Sequence, residues 1–336
     1  MSLSTVVSSI DFTSDGKAIG DLKIKWSDNS IPLGYHLVPI LSIRNGLGPT
    51  VLMISGTHGD EFEGPSALMR LADQIDQKKI KGQIIIIPAL NASAIKGSSR
   101  VSLLDGGNLN RAFPGSPTGD VTQQIAYYIE TELLPKADAA IDLHSGGKAS
   151  FFSPCTLATR TKDKTLYKKN VALAKVFGLP LIWVLGTFND SRSLNSAAAR
   201  VGVPMIATEL GGGGGVDPDI TNTTEEGLYN LLRHIGIFPG DPNSFSSNKM
   251  VEIVSNNHSV ISPGEGIFDR KFSAGDIIKK GQLAGQIHYA LEPRRRSENI
   301  FFNSNGIILA HTNRGYVKRG DMLLLVVQEI DSIDNL

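Results

Sequence analysis

The chain has a single cysteine, Cys155, in 336 residues. No intramolecular disulfide can form, which fits a reducing compartment. One thiol cannot build a thiolate metal cluster either. With Phe151, Phe152 and Pro154 beside it and no adjacent base, Cys155 reads as a buried structural thiol rather than a nucleophile. Charge of one sign is also missing: 33 basic residues balance 33 acidic ones. That balance gives no bias toward nucleic acid or an anionic membrane. The apolar runs reach strand length only, so no membrane span is expected. No basic stretch leads into an apolar segment near residue 1, so no secretory signal is expected. A cytoplasmic enzyme is the simplest class that remains.

Glycine and short apolar runs are plentiful, and together they outline the fold. Residues 1–45 read as strands and polar turns, an antiparallel edge on a larger sheet; Gly20–Trp26 and His36–Leu41 are the clearest. From about residue 48 strands and helices alternate. The expected strands are Thr50–Ser55, Ile84–Pro88, Ala139–His144, Leu181–Leu185 and Pro204–Leu210. The expected helices are Gly64–Ile75, Val121–Leu134, Leu166–Phe177, Asn195–Val201 and Thr224–Ile235. Four consecutive isoleucines, Ile84 to Ile87, suit a strand buried on both faces. The alternation predicts a mixed, mostly parallel α/β sheet flanked by helices. Residues 91–120 form a long Gly/Ser/Asn/Pro-rich stretch of the kind that usually carries function. Thr122 is the expected cap of the next helix. The polar run 243–248 reads as a boundary, giving an α/β domain over 46–245 and an all-β domain over 250–336.

Three of the expected strand ends carry polar groups that a purely structural sheet would not need. The first is the turn G-T-H-G-D-E with His58 and Glu61, the second is His144 in D-L-H-S-G-G, and the third is Glu209 in A-T-E-L-G-G-G. Parallel strands point their carboxyl ends one way, so these groups can converge. Two imidazoles and a carboxylate suit tetrahedral zinc with one position open for water. An H-x-x-E pair alone is weak evidence; a second His at another strand end makes it specific. Asp142 lies two residues before His144, on the same strand face, where it can brace a ligand imidazole. Glu209 is the candidate general base. The reverse assignment, with Glu209 as ligand and Glu61 as a helix cap, stays open at this point. Asp60 is expected to cap the following helix or brace the turn. Asn110 and Arg111 are candidate carboxylate binders, Arg100 a candidate oxyanion stabiliser and Arg192 a second anion clamp, although Asp190 beside it would suit an amino group instead. The glycines 211–215 lack the spacing and the Lys of a phosphate-binding loop.

These motifs resemble the succinylglutamate desuccinylase/aspartoacylase family, a branch of the zinc carboxypeptidase-like fold. The resemblance implies one zinc ion per subunit on His58, Glu61 and His144, Glu209 as base, and Asn110 with Arg111 on a substrate carboxylate. It implies hydrolysis of a small N-acyl amino acid, with peptide carboxypeptidase action as the alternative. The runs G-N-L-N-R-A-F-P-G and D-L-H-S-G-G look closest to members that deacetylate Nα-acetyl-2,4-diaminobutyrate in ectoine breakdown. Arg100 stands further before Asn110 than the corresponding Arg of aspartoacylases, which requires a longer loop. The C-terminal part resembles a biotinyl/lipoyl-type β domain with two related halves. The stretch between the halves, Leu291 to Ser297, has no Lys to modify, so a carrier role is disfavoured. That β domain also offers a surface for a homo-oligomer.

Overall fold

The computed structural model describes residues 4–29, 31–186, 189–243, 248–254 and 258–330. At the N-terminus, β1 (Val7–Ser8), β2 (Gly16–Trp26) and β3 (Gly34–Asn45) pair antiparallel. They lead into a parallel centre of β4 (Thr50–Ser55), β5 (Gly82–Ile87) and β6 (Ala139–His144). Next in the chain come β7 (Ser150–Phe152), β8 (Cys155–Thr159), β9 (Leu181–Leu185) and β10 (Met205–Glu209). In space β10 pairs parallel with β6 and antiparallel with β8, and β8 pairs parallel with β9. The result is the expected fold class, a mixed sheet with a parallel core.

Helices cover both faces. On one side α1 (Glu63–Gln74) precedes two more helices, later in the chain, in a single apolar core. On the other, the short α2 (Ala92–Gly97) is followed by α3 (Val121–Tyr128). The remaining helices are α4 (Lys164–Phe177), α5 (Leu194–Val201) and α6 (Pro218–Ile235). Leu71, Phe177 and Leu228 from α1, α4 and α6 pack on Val51, Met53 and Ile141. Ile125 and Ala197 from α3 and α5 pack on Leu52, Ile54 and Ala140. Residues alternate across a strand, so Asp142 and His144 share the α3/α5 face with Ala140. The four isoleucines of β5 divide between the two cores and are fully buried. Each contributes about 1.5–3 kcal/mol of burial.

Several local expectations need correction. Cys155 is buried, as expected, but it opens a strand, β8, that is absent from the expected set. Thr122 does not cap α3; its amide and hydroxyl donate to Asp105 at 2.7 and 2.8 Å. The rod beyond Tyr128 continues through a π-helical turn, Ile129–Leu133. Asp60 does not cap α1; its Oδ2 accepts from the Lys148 amide at 2.9 Å. The last helix starts at Pro218 rather than Thr224 because Asp217 caps it and Pro218 fits its first turn. The boundary expected over 243–248 falls largely on 244–247, outside the described residues.

The main sheet continues through β11 (Lys249–Glu252), which pairs with β9 and with a C-terminal strand. The rest of the chain is β12 (Ser259–Ile261), β13 (Gly266–Arg270), β14 (Ile277–Ile278), β15 (Leu283–His288), β16 (Glu298–Phe301), β17 (Gly306–Thr312), β18 (Tyr316–Val317) and β19 (Met322–Glu329). The halves exchange strands: β13 pairs with β18 while β14 pairs with β17. β13, β15, β16 and β18 form a separate antiparallel sheet. Among the described residues no helix is long and apolar enough to cross a membrane.

One glycine joins the fold to the strand-end turns. Gly64 opens α1 where an added Cβ would meet Leu143 Cβ at 2.6 Å and its carbonyl oxygen at 2.9 Å. Gly64→Ala is therefore expected to destabilise the protein by about 1–3 kcal/mol, read as a lower urea midpoint. An unchanged midpoint would show that β6 and α1 can separate freely.

Candidate metal centre and substrate rim

Two neighbouring parallel strands set the site. The register places Glu209 of β10 opposite His144 of β6, and Ser55 of β4 opposite Leu143. Their carboxyl ends therefore share one edge. The turn after β4 brings His58 and Glu61 to it. Gly59 is required there, since a Cβ at this position would collide with the backbone of α2 at Ala94, while its amide donates to Ser99 at 2.8 Å.

His58, Glu61 and His144 are buried, and one donor atom from each lies within 4.8 Å of the others. Glu61 stands between the rings. Its Oε1 is 2.7 Å from His58 Nδ1 and its Oε2 2.9 Å from His144 Nδ1. The far side of each imidazole is held by an acceptor. Asp142 Oδ2 lies 2.8 Å from His144 Nε2, and Asn108 Oδ1 lies 3.2 Å from His58 Nε2. A proton held on each Nε2 leaves both Nδ1 lone pairs facing Glu61. Two imidazole nitrogens and a carboxylate so presented are a donor set for a divalent ion.

The electrostatics point the same way. Burial alone would raise the Glu61 carboxyl, but His58 and then His144 hold it below the usual carboxylate range. Burial alone would lower His144, but Asp142 and then Glu61 raise it well above the ordinary histidine value. The carboxylates thus create a strong pull on positive charge where the two Nδ1 atoms meet. Glu209 is shifted upward, first by burial and next by the Glu61 charge. Its Oε2 is buried without a hydrogen-bond partner among the described residues. A buried acceptor left unmatched is costly to a fold and is consistent with a role in chemistry.

The arginines line the rim. Arg100 Nη1 is 3.4 Å from His58 Nδ1 and 3.6 Å from Glu61 Oε1, with half its side chain in solvent. Asn110 lies in a helical turn, Leu109–Arg111; its Nδ2 is 3.4 Å from His144 Nε2 and its Oδ1 accepts from the Leu194 amide. Arg111 Nε is 3.0 Å from Asp190. Arg192 does not join them as an open clamp: its Nε and Nη2 both bind Asp190, at 3.0 and 2.9 Å. Two neighbours of the donors escaped the sequence reading. Asn108 and Thr57 both sit inside the quoted motifs with no role assigned, and the Thr57 hydroxyl donates to Asp142 at 3.0 Å.

The chain has known relatives over nearly its whole length. A model of the succinylglutamate desuccinylase/aspartoacylase catalytic domain matches residues 47–235. The chain is 30% identical over 331 residues to an N-alpha-acetyl-L-2,4-diaminobutyric acid deacetylase from Halomonas elongata, spanning 98% of this chain and 97% of that one. It is 33% identical to the product-bound ectoine utilization protein EutE (DoeB) from Ruegeria pomeroyi, with a TM-score of 0.93 over 96% of this chain and 98% of that one. A succinylglutamate desuccinylase/aspartoacylase from Rhodobacter sphaeroides is 30% identical, with a TM-score of 0.92 over 97% of this chain and 100% of that one.

Asp142 faces a donor ring rather than the ion position, so its removal tests the bracing separately. Asp142→Asn is expected to weaken metal binding by about 10–100-fold, measured by competition with a chromophoric chelator. Unchanged affinity would remove Asp142 from the account of the centre.

Proposed function

The chain belongs to the succinylglutamate desuccinylase/aspartoacylase family, whose members hydrolyse amide bonds, and from that premise we propose that it deacetylates Nα-acetyl-2,4-diaminobutyrate. The observation that carries the reading is the buried His58–Glu61–His144 donor set with Glu209 at the adjoining strand end. The Halomonas elongata relative is named for this deacetylation, and the Ruegeria pomeroyi relative for ectoine utilization. Two imidazoles and one carboxylate favour zinc, one ion per subunit, and leave a position free of protein ligands. When bound, the ion supplies a Lewis acid that polarises an amide carbonyl and acidifies water.

The protein's own groups divide the remaining work. Arg111 and Asn110 hold the substrate carboxylate at the rim, which fixes the amide relative to Glu209. Glu209 takes the proton of the attacking water as the new C–O bond forms. Burial raises its carboxyl, which makes it a stronger base than a solvated carboxylate. Arg100, within 3.6 Å of Glu61, is placed to stabilise the tetrahedral oxyanion. Glu209 then returns the proton to the departing nitrogen as the C–N bond breaks. The products are acetate and a free amino acid.

Metal analysis of purified protein and a substrate panel test this reading. The panel is Nα-acetyl-2,4-diaminobutyrate, N-acetylaspartate, N-succinylglutamate and a dipeptide, and the first is expected to turn over best. Chelation should abolish activity and zinc restore it. Glu209→Gln should lower kcat by about 10²–10⁴-fold while zinc content stays stoichiometric. A Glu209→Gln protein as active as the unaltered one, or activity indifferent to chelation, would sink the mechanism.

A further inference from the structure

The carboxylate of Asp190 is enclosed by two guanidinium groups at the substrate rim. Its Oδ2 is 3.0 Å from Arg111 Nε, and the Arg192 fork and amide take both its oxygens. Hydrogen bonding from the Arg192 side chain, opposed next by burial and aided by the Arg192 amide and the charge of Arg111, holds its carboxyl down at about 2. The group is ionised throughout the neutral range.

The segment from Asp190 to Leu194 is braced by hydrogen bonds. Ser196 Oγ donates to the Asp190 carbonyl at 2.7 Å, and Arg200 Nη1 donates to the Ser191 carbonyl at 2.7 Å. Arg200 is itself anchored by a two-pronged pair to Glu130, at 2.8 Å on each prong. The Phe113 amide donates to the Arg192 carbonyl and the Leu194 amide to Asn110 Oδ1. The same two loops that present Asn110 and Arg111 thus fix Asp190 beside them. A surface ion pair without function needs no such support.

We propose that Asp190 is the subsite for a cationic group on the side chain of the amino acid whose carboxylate docks on Arg111. The proposal rests on the reading above in placing a carboxylate on Arg111. A carboxylate held there has Asp190 as its immediate neighbour, so the next charged group on a short side chain meets Asp190. An ammonium gains a partner; a second carboxylate is repelled. Arg192 does not reverse this selection. Its side chain is 60% exposed while that of Asp190 is 26% exposed, so Asp190 lies on the inner side of the pair. A substrate carboxylate reaching for Arg192 must first displace Asp190 from a two-pronged interaction.

Calorimetric titration of the zinc-loaded protein with free 2,4-diaminobutyrate, its uncharged analogue norvaline and aspartate tests the subsite without turnover. The unaltered protein should bind diaminobutyrate about tenfold or more tightly than norvaline. In Asp190→Asn, and in Asp190→Ser should the first variant fold poorly, that preference should fall to about twofold or less. In assays KM for the acetylated substrate should rise with kcat little changed. A preference that survives both substitutions overturns the subsite. Tighter binding of aspartate than norvaline, lost in Arg192→Met, overturns it in favour of a second anion clamp. A protein that binds with the Asp190-dependent preference yet hydrolyses no N-acyl amino acid refutes the proposed activity and leaves the subsite standing.

Discussion

The Glu61 carboxylate divided between two imidazoles is the interaction on which the architecture of the site depends. Its oxygens reach His58 Nδ1 and His144 Nδ1 at 2.7 and 2.9 Å, and one of them also accepts from the Ser145 amide at 3.1 Å. An ionised group this deeply buried is tolerated only when opposite charge lies close. That demand reaches into the backbone. The turns after β4 and β6 must approach closely enough to share one carboxylate, and they do so through glycines. Gly59 lies against α2, and Gly147 lies against the Asp60 carboxylate, positions where a Cβ would collide. Asp142 and Asn108 then fix the rings from behind. The glycine richness of the strand ends is a consequence of a shared acid, not of loop flexibility.

What could be read from the sequence follows from which interactions are periodic. His144 and Glu209 were legible as neighbours because parallel strands with a two-residue repeat leave little freedom at their ends. His58 and Glu61 were legible because a short turn between strand and helix holds few conformations. Asn108 and Thr57 were not legible as supports, because a side chain that acts through a ligand ring has no periodic signature. The same limit explains the misplaced caps. Thr122 and Asp60 have the composition of helix caps, but the first donates to Asp105 and the second accepts from Lys148, contacts made across loops. Strand β8 was hidden because its register is set by β9 and β10 on either side rather than by alternation of its own.

Arg192 illustrates a different gap. A cation beside a loop Asp can serve an incoming anion or its own neighbour, and composition weighs the two equally. Geometry separates them, because Asp190 takes both prongs of the Arg192 fork and also touches Arg111. The bracing that holds this arrangement runs through Arg200 to Glu130, which lies within the π-helical turn Ile129–Leu133. Such turns often accompany functional positions in helices. Here the turn adjoins the residue that anchors the substrate-side loop.

The charged groups are graded by exposure, and that gradient orders the chemistry. The donors His58, Glu61 and His144 are dry, whereas the side chains of Arg100, Arg111 and Arg192 are 53%, 38% and 60% exposed. A site that kept its arginines equally buried would bear the desolvation of three cations before any ligand arrived. Leaving them partly wet keeps that cost low, with Arg111 and Arg192 sharing Asp190 and Arg100 beside Glu61. On the proposed reading, docking of a carboxylate at Asn110 and Arg111 removes water from the rim and strengthens the interactions that hold the amide in place. Glu209, whose Oε2 is already buried without a hydrogen-bond partner among the described residues, requires no such preparation. Its upward shift arises first from burial and next from the Glu61 charge, so on the proposed mechanism the base is set before a substrate binds, while the proposed anion-binding rim is completed by the substrate itself.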